Sequence, residues 1–125
     1  MTSSNPTILI ADDEPLVVSA LARQARRMGM HFISDSTSEH VVEMAEQHKP
    51  DVIILDVRQK VDGRDLLAKL KANPQTSRCK VIMLSGVDDQ FTRHTCFELG
   101  ADDYEVKPFD ICFMNKVARM AGVHS

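Results

Sequence analysis

Val52-Ile53-Ile54-Leu55-Asp56 is a run of four apolar residues that ends on a carboxylate. A short apolar run flanked by helical stretches reads as a strand buried on both faces of a parallel sheet. Working outward from it, three more runs end in the same manner. Ile8-Leu9-Ile10 leads to Asp12-Asp13, Val81-Ile82-Met83-Leu84 to Ser85-Gly86, and Tyr104-Glu105-Val106 to Lys107-Pro108. Ligands of an open α/β sheet gather beyond the carboxyl ends of its strands. Three carboxylates, a hydroxyl and an ammonium, remote in sequence, are thereby predicted to meet at one sheet edge. These are the groups that phosphoryl chemistry needs.

The pattern predicts strands over 7–11, 31–35, 52–56, 80–84 and 103–106, with helices between them. Pro15 suits a first helical position, and Val17, Leu21, Ala25 and Met28 share one face of a helix over 15–28, stopped by Gly29. Ser38 is expected to cap a helix over 39–48, with Val41 and Ala45 inward. Asp65 to Asn73 carries Leu66, Leu67 and Leu70 before Pro74. Residues 88–99 place Phe91, Thr95 and Leu99 at spacing four, a thin apolar face. The last helix, 110–121, offers Ile111, Phe113, Met114 and Val117. Five βα units in a row predict a doubly wound α/β sandwich with a five-stranded parallel sheet. Neither Gly-x-Gly-x-x-Gly nor Gly-x-x-x-x-Gly-Lys-Ser/Thr occurs, which removes dinucleotide and P-loop readings.

The 125 residues, 43% hydrophobic, fit a single domain over 1–125 with its core at about 6–121. No stretch approaches the roughly 20 apolar residues of a membrane span, and the polar start Met1-Thr2-Ser3-Ser4 lacks a signal peptide's apolar region. Net charge is −3, against direct nucleic-acid binding, which needs a basic face. The basic residues Arg23, Arg26 and Arg27 are expected on the solvated side of the first helix. Cys79, Cys96 and Cys112 form no Cys-x-x-Cys pair and read as reduced thiols, with Cys112 and Cys96 as small core residues of a cytoplasmic protein. His94-Thr95-Cys96 is the nearest approach to a metal-ligand spacing, and chance accounts for it.

Asp12-Asp13-Glu14-Pro15, Asp56, Asp62-Gly63, Ser85-Gly86 and Gly100-Ala101-Asp102-Asp103-Tyr104 running into Lys107-Pro108-Phe109 together resemble a response-regulator receiver domain of two-component signalling, of the chemotaxis-type single-domain architecture. The resemblance covers about residues 6–121. It implies a flavodoxin-like fold with strand order 2-1-3-4-5 and a cis peptide at Lys107-Pro108. It implies Asp56 as phosphoacceptor from a phosphohistidine on a sensor histidine kinase or phosphotransfer protein. Asp12, Asp13, Asp56 and the Arg58 backbone carbonyl would hold Mg²⁺, whose preference for oxygen ligands suits such a set. Lys107 and Ser85 would pair with phosphoryl oxygens. Ser85 and Tyr104 would form the switch, displaying a signal to a downstream effector on the face of the fourth helix, fifth strand and fifth helix. Beyond its own phosphorylation and dephosphorylation, no catalysis is implied.

Each motif has a plainer reading. Asp12-Asp13-Glu14-Pro15 is also an acidic helix start favoured by the helix dipole. Asp56 serves equally as a loop cap, Ser85-Gly86 as a turn, Lys107-Pro108 as a loop, and Tyr104 as an edge-strand aromatic with its hydroxyl in water. Their joint occurrence at matching strand ends favours the phosphoacceptor.

The chain departs from the receiver pattern between Asp56 and Gly63. The family usually has one more residue there, commonly with a proline, where Val57-Arg58-Gln59-Lys60-Val61-Asp62 stands here. Arg58 is expected to fold over the pocket against Glu14 and to alter phosphoryl loss. Val87 offers no acid or base beside the attacking water. Two alternatives remain: a receiver-like module that binds partners without phosphorylation, and a Mg²⁺-dependent aspartyl phosphatase. The second lacks Asp-x-Asp-x-Thr/Val at both Asp12 and Asp56. The start and tail carry no tag, which favours a stand-alone protein over a piece of a longer regulator. Phe91, Phe97, Phe113 and Met120 are candidates for an apolar patch that supports a homodimer.

Overall fold

The run ending on Asp56 is the middle strand of a five-stranded sheet. A computed structural model describes residues 5–58 and 61–123. Its elements alternate: β1 (Thr7–Ala11), α1 (Pro15–Arg27), β2 (His31–Ser34), α2 (Val41–His48), β3 (Val52–Asp56), α3 (Gly63–Ala72), β4 (Lys80–Ser85), α4 (Gln90–Glu98), β5 (Asp103–Val106) and α5 (Ile111–Met120). The strands pair in the order β2-β1-β3-β4-β5, all parallel. Order and alternation are those predicted. The Lys107-Pro108 peptide is cis, as the resemblance implied.

Side chains alternate across a strand, so each central strand feeds two cores. Leu9, Ile53, Leu55, Val81 and Met83 pack under α2 and α3, against Ala45, Leu66, Leu67 and Leu70. Ile8, Ile10, Val52, Ile54, Ile82 and Leu84 face α1 and α5, meeting Leu21, Ala25, Phe113, Met114 and Val117. Burial on both faces explains why β3 carries an unbroken apolar run. The register decides the functional edge. Ala11 lies beside Leu55, Asp56 beside Leu84, and Ser85 beside Val106. The residues at or just past these positions, Asp12, Asp56, Ser85 and Lys107, therefore leave the sheet at one level.

Several local expectations fail for identifiable reasons. Ser38 is no cap: it is buried with φ 62°, and α2 starts at Val41 with His40 at the cap position. The Asp35 carboxylate takes the Thr37 and His40 N–H groups and the Thr37 hydroxyl, and so holds the chain in a turn before the helix. Helix α3 starts two residues early because Asp62 accepts a bond from the Arg64 N–H at 2.9 Å. Helix α4 turns a different face inward. Asp89 caps it and also binds the Thr92 hydroxyl at 2.6 Å, which points Thr92 and Cys96 into the protein and leaves Phe91 72% exposed. Cys112 and Ile111 stand exposed on the first turn of α5, whereas Cys79 and Cys96 are buried. Phe113 belongs to the core, not to an exposed patch; Phe91, Phe97 and Ile111 are the exposed apolar groups of α4 and α5.

Two stability measurements check this architecture. Leu67→Ala removes a fully buried side chain and is expected to cost about 2–5 kcal/mol in urea unfolding, against about 0.5 kcal/mol or less for the exposed Phe91→Ala. Burial acts to raise the Asp35 carboxyl, but its hydrogen bonds from Thr37, His40 and Ser38 outweigh it and leave the pKa below the ordinary aspartate value. A depressed folded-state pKa contributes stability above the unfolded value of about 3.9 and loses it as pH falls through the folded value. Asp35→Asn is accordingly expected to be less stable than wild type at neutral pH, with the gap closing below about pH 4.

Candidate functional site

At the carboxyl edge of the sheet, the Lys107 ammonium meets three carboxylates. Its Nζ lies 3.0 Å from Asp12 Oδ2, 3.0 Å from Asp56 Oδ2 and 2.5 Å from Glu14 Oε1. Burial alone would lower the Lys107 pKa, yet its hydrogen bonds to Glu14 and Asp56 and its ion pair with Asp12 more than offset that and raise it. The lysine is therefore held as a cation. Its backbone is fixed too, because the Lys107 N–H donates to the Ser85 carbonyl at 2.7 Å.

The carboxylates are crowded. Asp12 and Asp56 are buried, and Asp13 is exposed beside them. One ligating oxygen from each of these three lies within 4.8 Å of the others. Asp12 Oδ1 accepts the Glu14 N–H at 2.8 Å. Asp12 Oδ2 is in ion-pair contact with Lys107 but off the axis of a hydrogen bond, and is buried with no hydrogen-bond partner. Burial, together with the Asp56 charge, pushes the Asp12 carboxyl above its usual range, despite the Glu14 N–H and Lys107. One lysine does not neutralise four acidic side chains. An orphaned buried oxygen within a set of hard oxygen donors fits a small divalent cation such as Mg²⁺.

The two ends of the loop after Asp56 are held against the acceptor strand. The Arg58 N–H donates to Asp56 Oδ1 at 3.0 Å, and the Gly63 N–H to the Val57 carbonyl at 3.1 Å. A Cβ at Gly63 would run into the Asp56 carbonyl oxygen, so glycine lets α3 begin directly against the acceptor strand. Arg58 does not reach Glu14. It is exposed, its charge acts on Asp89, and Glu14 pairs with Lys107 instead. Gln59 and Lys60 lie outside the described residues.

On the other side of the site runs a chain of polar contacts. Ser85 Oγ accepts the Val87 N–H at 3.1 Å, and the Val87 carbonyl accepts the Tyr104 hydroxyl at 3.1 Å. Tyr104 is 3% exposed, so its hydroxyl is not in water. The Arg93 guanidinium lies over its ring, 4.7 Å from the centroid, and 3.5 Å from Asp88. The fold thus gathers Asp12, Asp13, Asp56 and Lys107 at one edge, with the Arg58 N–H on Asp56 and with Ser85 and Tyr104 joined through Val87. Sequence reasoning missed Glu14 as a partner of Lys107 and missed Arg93 entirely. An acidic residue directly before the helix-starting Pro15 was a usable signal for the first. No pattern in the chain marks the second.

Residues 8–118 match the response regulator receiver domain. The chain is 39% identical over 106 residues to the alkaline phosphatase synthesis transcriptional regulatory protein PhoP of Bacillus subtilis, covering 84% of this chain and 43% of that protein. It is 35% identical over 103 residues to the transcriptional regulatory protein KdpE of Mycobacterium tuberculosis, covering 82% and 44%. The chain thus spans less than half the length of these curated relatives. Among solved structures, the receiver domain of a Francisella response regulator superposes with a TM-score of 0.84 at 26% identity, covering 94% of this chain and 98% of that one. A Burkholderia pseudomallei response regulator with a phosphorylated aspartic acid and a calcium ion shares the fold at 22% identity, with a TM-score of 0.81 over 93% of this chain and 66% of that one.

The close approach at Gly63 makes a stability prediction. Gly63→Ala is expected to lose about 1–3 kcal/mol in urea unfolding, because the helix must shift off the Asp56 carbonyl. A loss under about 0.5 kcal/mol would show that the loop relaxes freely.

Proposed function

The chain belongs to the response regulator receiver domain family, and from that premise we propose that it is a phosphorylation-dependent switch with Asp56 as its acceptor. The observation that carries this reading is the Lys107 ammonium, 3.0 Å from Asp56 Oδ2 at the carboxyl end of the middle strand. In the proposed transfer an Asp56 oxygen attacks the phosphorus of a phosphohistidine. The new O–P bond forms as the N–P bond breaks, and the imidazole leaves with the bonding electron pair. The protein catalyses only this phosphorylation of itself and its later hydrolysis.

Asp12, Asp13, Asp56 and the Arg58 backbone carbonyl would hold Mg²⁺, which when bound supplies positive charge between two anions. Lys107 neutralises a phosphoryl oxygen and Ser85 donates a hydrogen bond to another. A Ser85 hydroxyl drawn to the phosphoryl group gives up its bond from the Val87 N–H. Val87 also holds the Tyr104 hydroxyl, so the change reaches Tyr104 and biases an equilibrium of the α4–β5–α5 face. Exposed Phe91, Phe97 and Ile111 on α4 and α5 support that face as the site of an effector or of a second copy. On the input side, the groove between Leu16, Val17, Pro108 and Phe109 opens beside Lys107 and suits the helix of a histidine kinase or phosphotransfer protein. A kinase partner of this kind would put its action in the cytoplasm.

Incubation with a small phosphodonor is the test. Intact-mass measurement is expected to show one added phosphoryl group that requires Mg²⁺ and is absent in Asp56→Ala. An adduct that survives in Asp56→Ala, or none in wild type with the donor intact, would overturn the reading.

A further inference from the structure

Glu14 occupies the cap position of α1, yet its side chain makes no capping bond. Short side chains cap well because they reach back to the first turn. The glutamate instead crosses to the end of β5 and contacts Lys107, 93 positions away. Its placement is fixed at both ends: its N–H donates to Asp12 Oδ1, and Pro15 follows as the first helical residue. The Glu14 side chain is 57% exposed, against 14% for Lys107 and 6% for Asp56. Glu14 therefore stands on the solvent side of the ammonium, at the mouth of the site beside Leu16, Pro108 and Phe109.

Resting on Asp56 as the acceptor, we propose that Glu14 is a charge gate, a positioning residue that holds Lys107 and selects against free phosphodonors carrying two negative charges. A phosphoryl group reaching Asp56 must take Lys107 from Glu14 and approach past its carboxylate. Repulsion by that carboxylate grows with the charge on the donor. Its effect on the rate with a doubly charged donor is thus the square of its effect with a singly charged one. Protein-bound phosphohistidine escapes much of this selection, because contacts elsewhere on the partner hold the donor in place.

Acetyl phosphate and phosphoramidate make the comparison. The first is a dianion at neutral pH and transfers its phosphoryl group with acetate leaving. The second carries a single net negative charge, its protonated nitrogen leaving as ammonia. Removing one half-exposed charge in Glu14→Gln is expected to speed phosphorylation by acetyl phosphate about fourfold and by phosphoramidate about twofold, with the difference shrinking as salt rises. Glu14→Asp, which keeps the charge, is expected to keep the wild-type ratio of the two rates. In the metal-free protein, the Lys107 side-chain resonance is expected to move in Glu14→Gln while the backbone resonances of the sheet stay in place. Equal factors for both donors, a slower reaction with acetyl phosphate, or a shift spread through the sheet would each overturn the gate. Wild type that takes no phosphoryl group from either donor would instead remove Asp56 as acceptor, and the gate with it.

Discussion

The Lys107 ammonium is the cation on which the carboxyl edge of this fold depends. Parallel strands deliver Asp12 and Asp56 to the same level, and the start of α1 adds Asp13 and Glu14. Buried carboxylates repel one another and resist ionisation, and the raised Asp12 pKa records that cost. Lys107 touches three of the four acids and leaves an excess of negative charge with one orphaned oxygen. That excess suits a further cation, and in the proposed reading the cation would admit an anion that the carboxylates alone would repel. Stability is given up at the edge, and the two apolar cores on either side of the sheet supply it.

The same arrangement offers a route by which the proposed event at Asp56 would reach another face. Ser85 and Lys107 are joined through the backbone, by the bond from the Lys107 N–H to the Ser85 carbonyl. Ser85, Val87 and Tyr104 follow one another through hydrogen bonds, and Arg93 closes the series by stacking on the tyrosine ring. Every link is a single contact of ordinary strength, about 1 kcal/mol net, so a change of one partner is enough to redistribute the rest. A cation over an aromatic face contributes a similar amount, so Arg93 adds to what holds Tyr104 in its buried position.

The sheet was legible because burial on both faces leaves an unbroken apolar run, as in Val52-Ile53-Ile54-Leu55. Asp56, Ser85 and Lys107 were legible because they end such runs. What failed were choices decided by single hydrogen bonds. Thr92 faces inward because Asp89 holds its hydroxyl, and spacing alone favoured Phe91. Ser38 lost its place as a cap because Asp35 captured the loop ahead of the helix. Glu14 was assigned to Arg58, whereas the fold brings Lys107 to it from 93 positions away. Local pattern reports what a segment buries; it does not report which distant charge a polar side chain meets.

Magnetic-resonance mapping with Mg²⁺ and beryllium trifluoride, a stand-in for the phosphoryl group, would show whether the pocket and the Tyr104 contact respond together. Saturable shifts are expected at Asp12, Asp13, Asp56 and Lys107 that need both components and extend through Ser85 and Val87 to Tyr104. Shifts that stop at the pocket, or that appear equally in Lys107→Met, would contradict it.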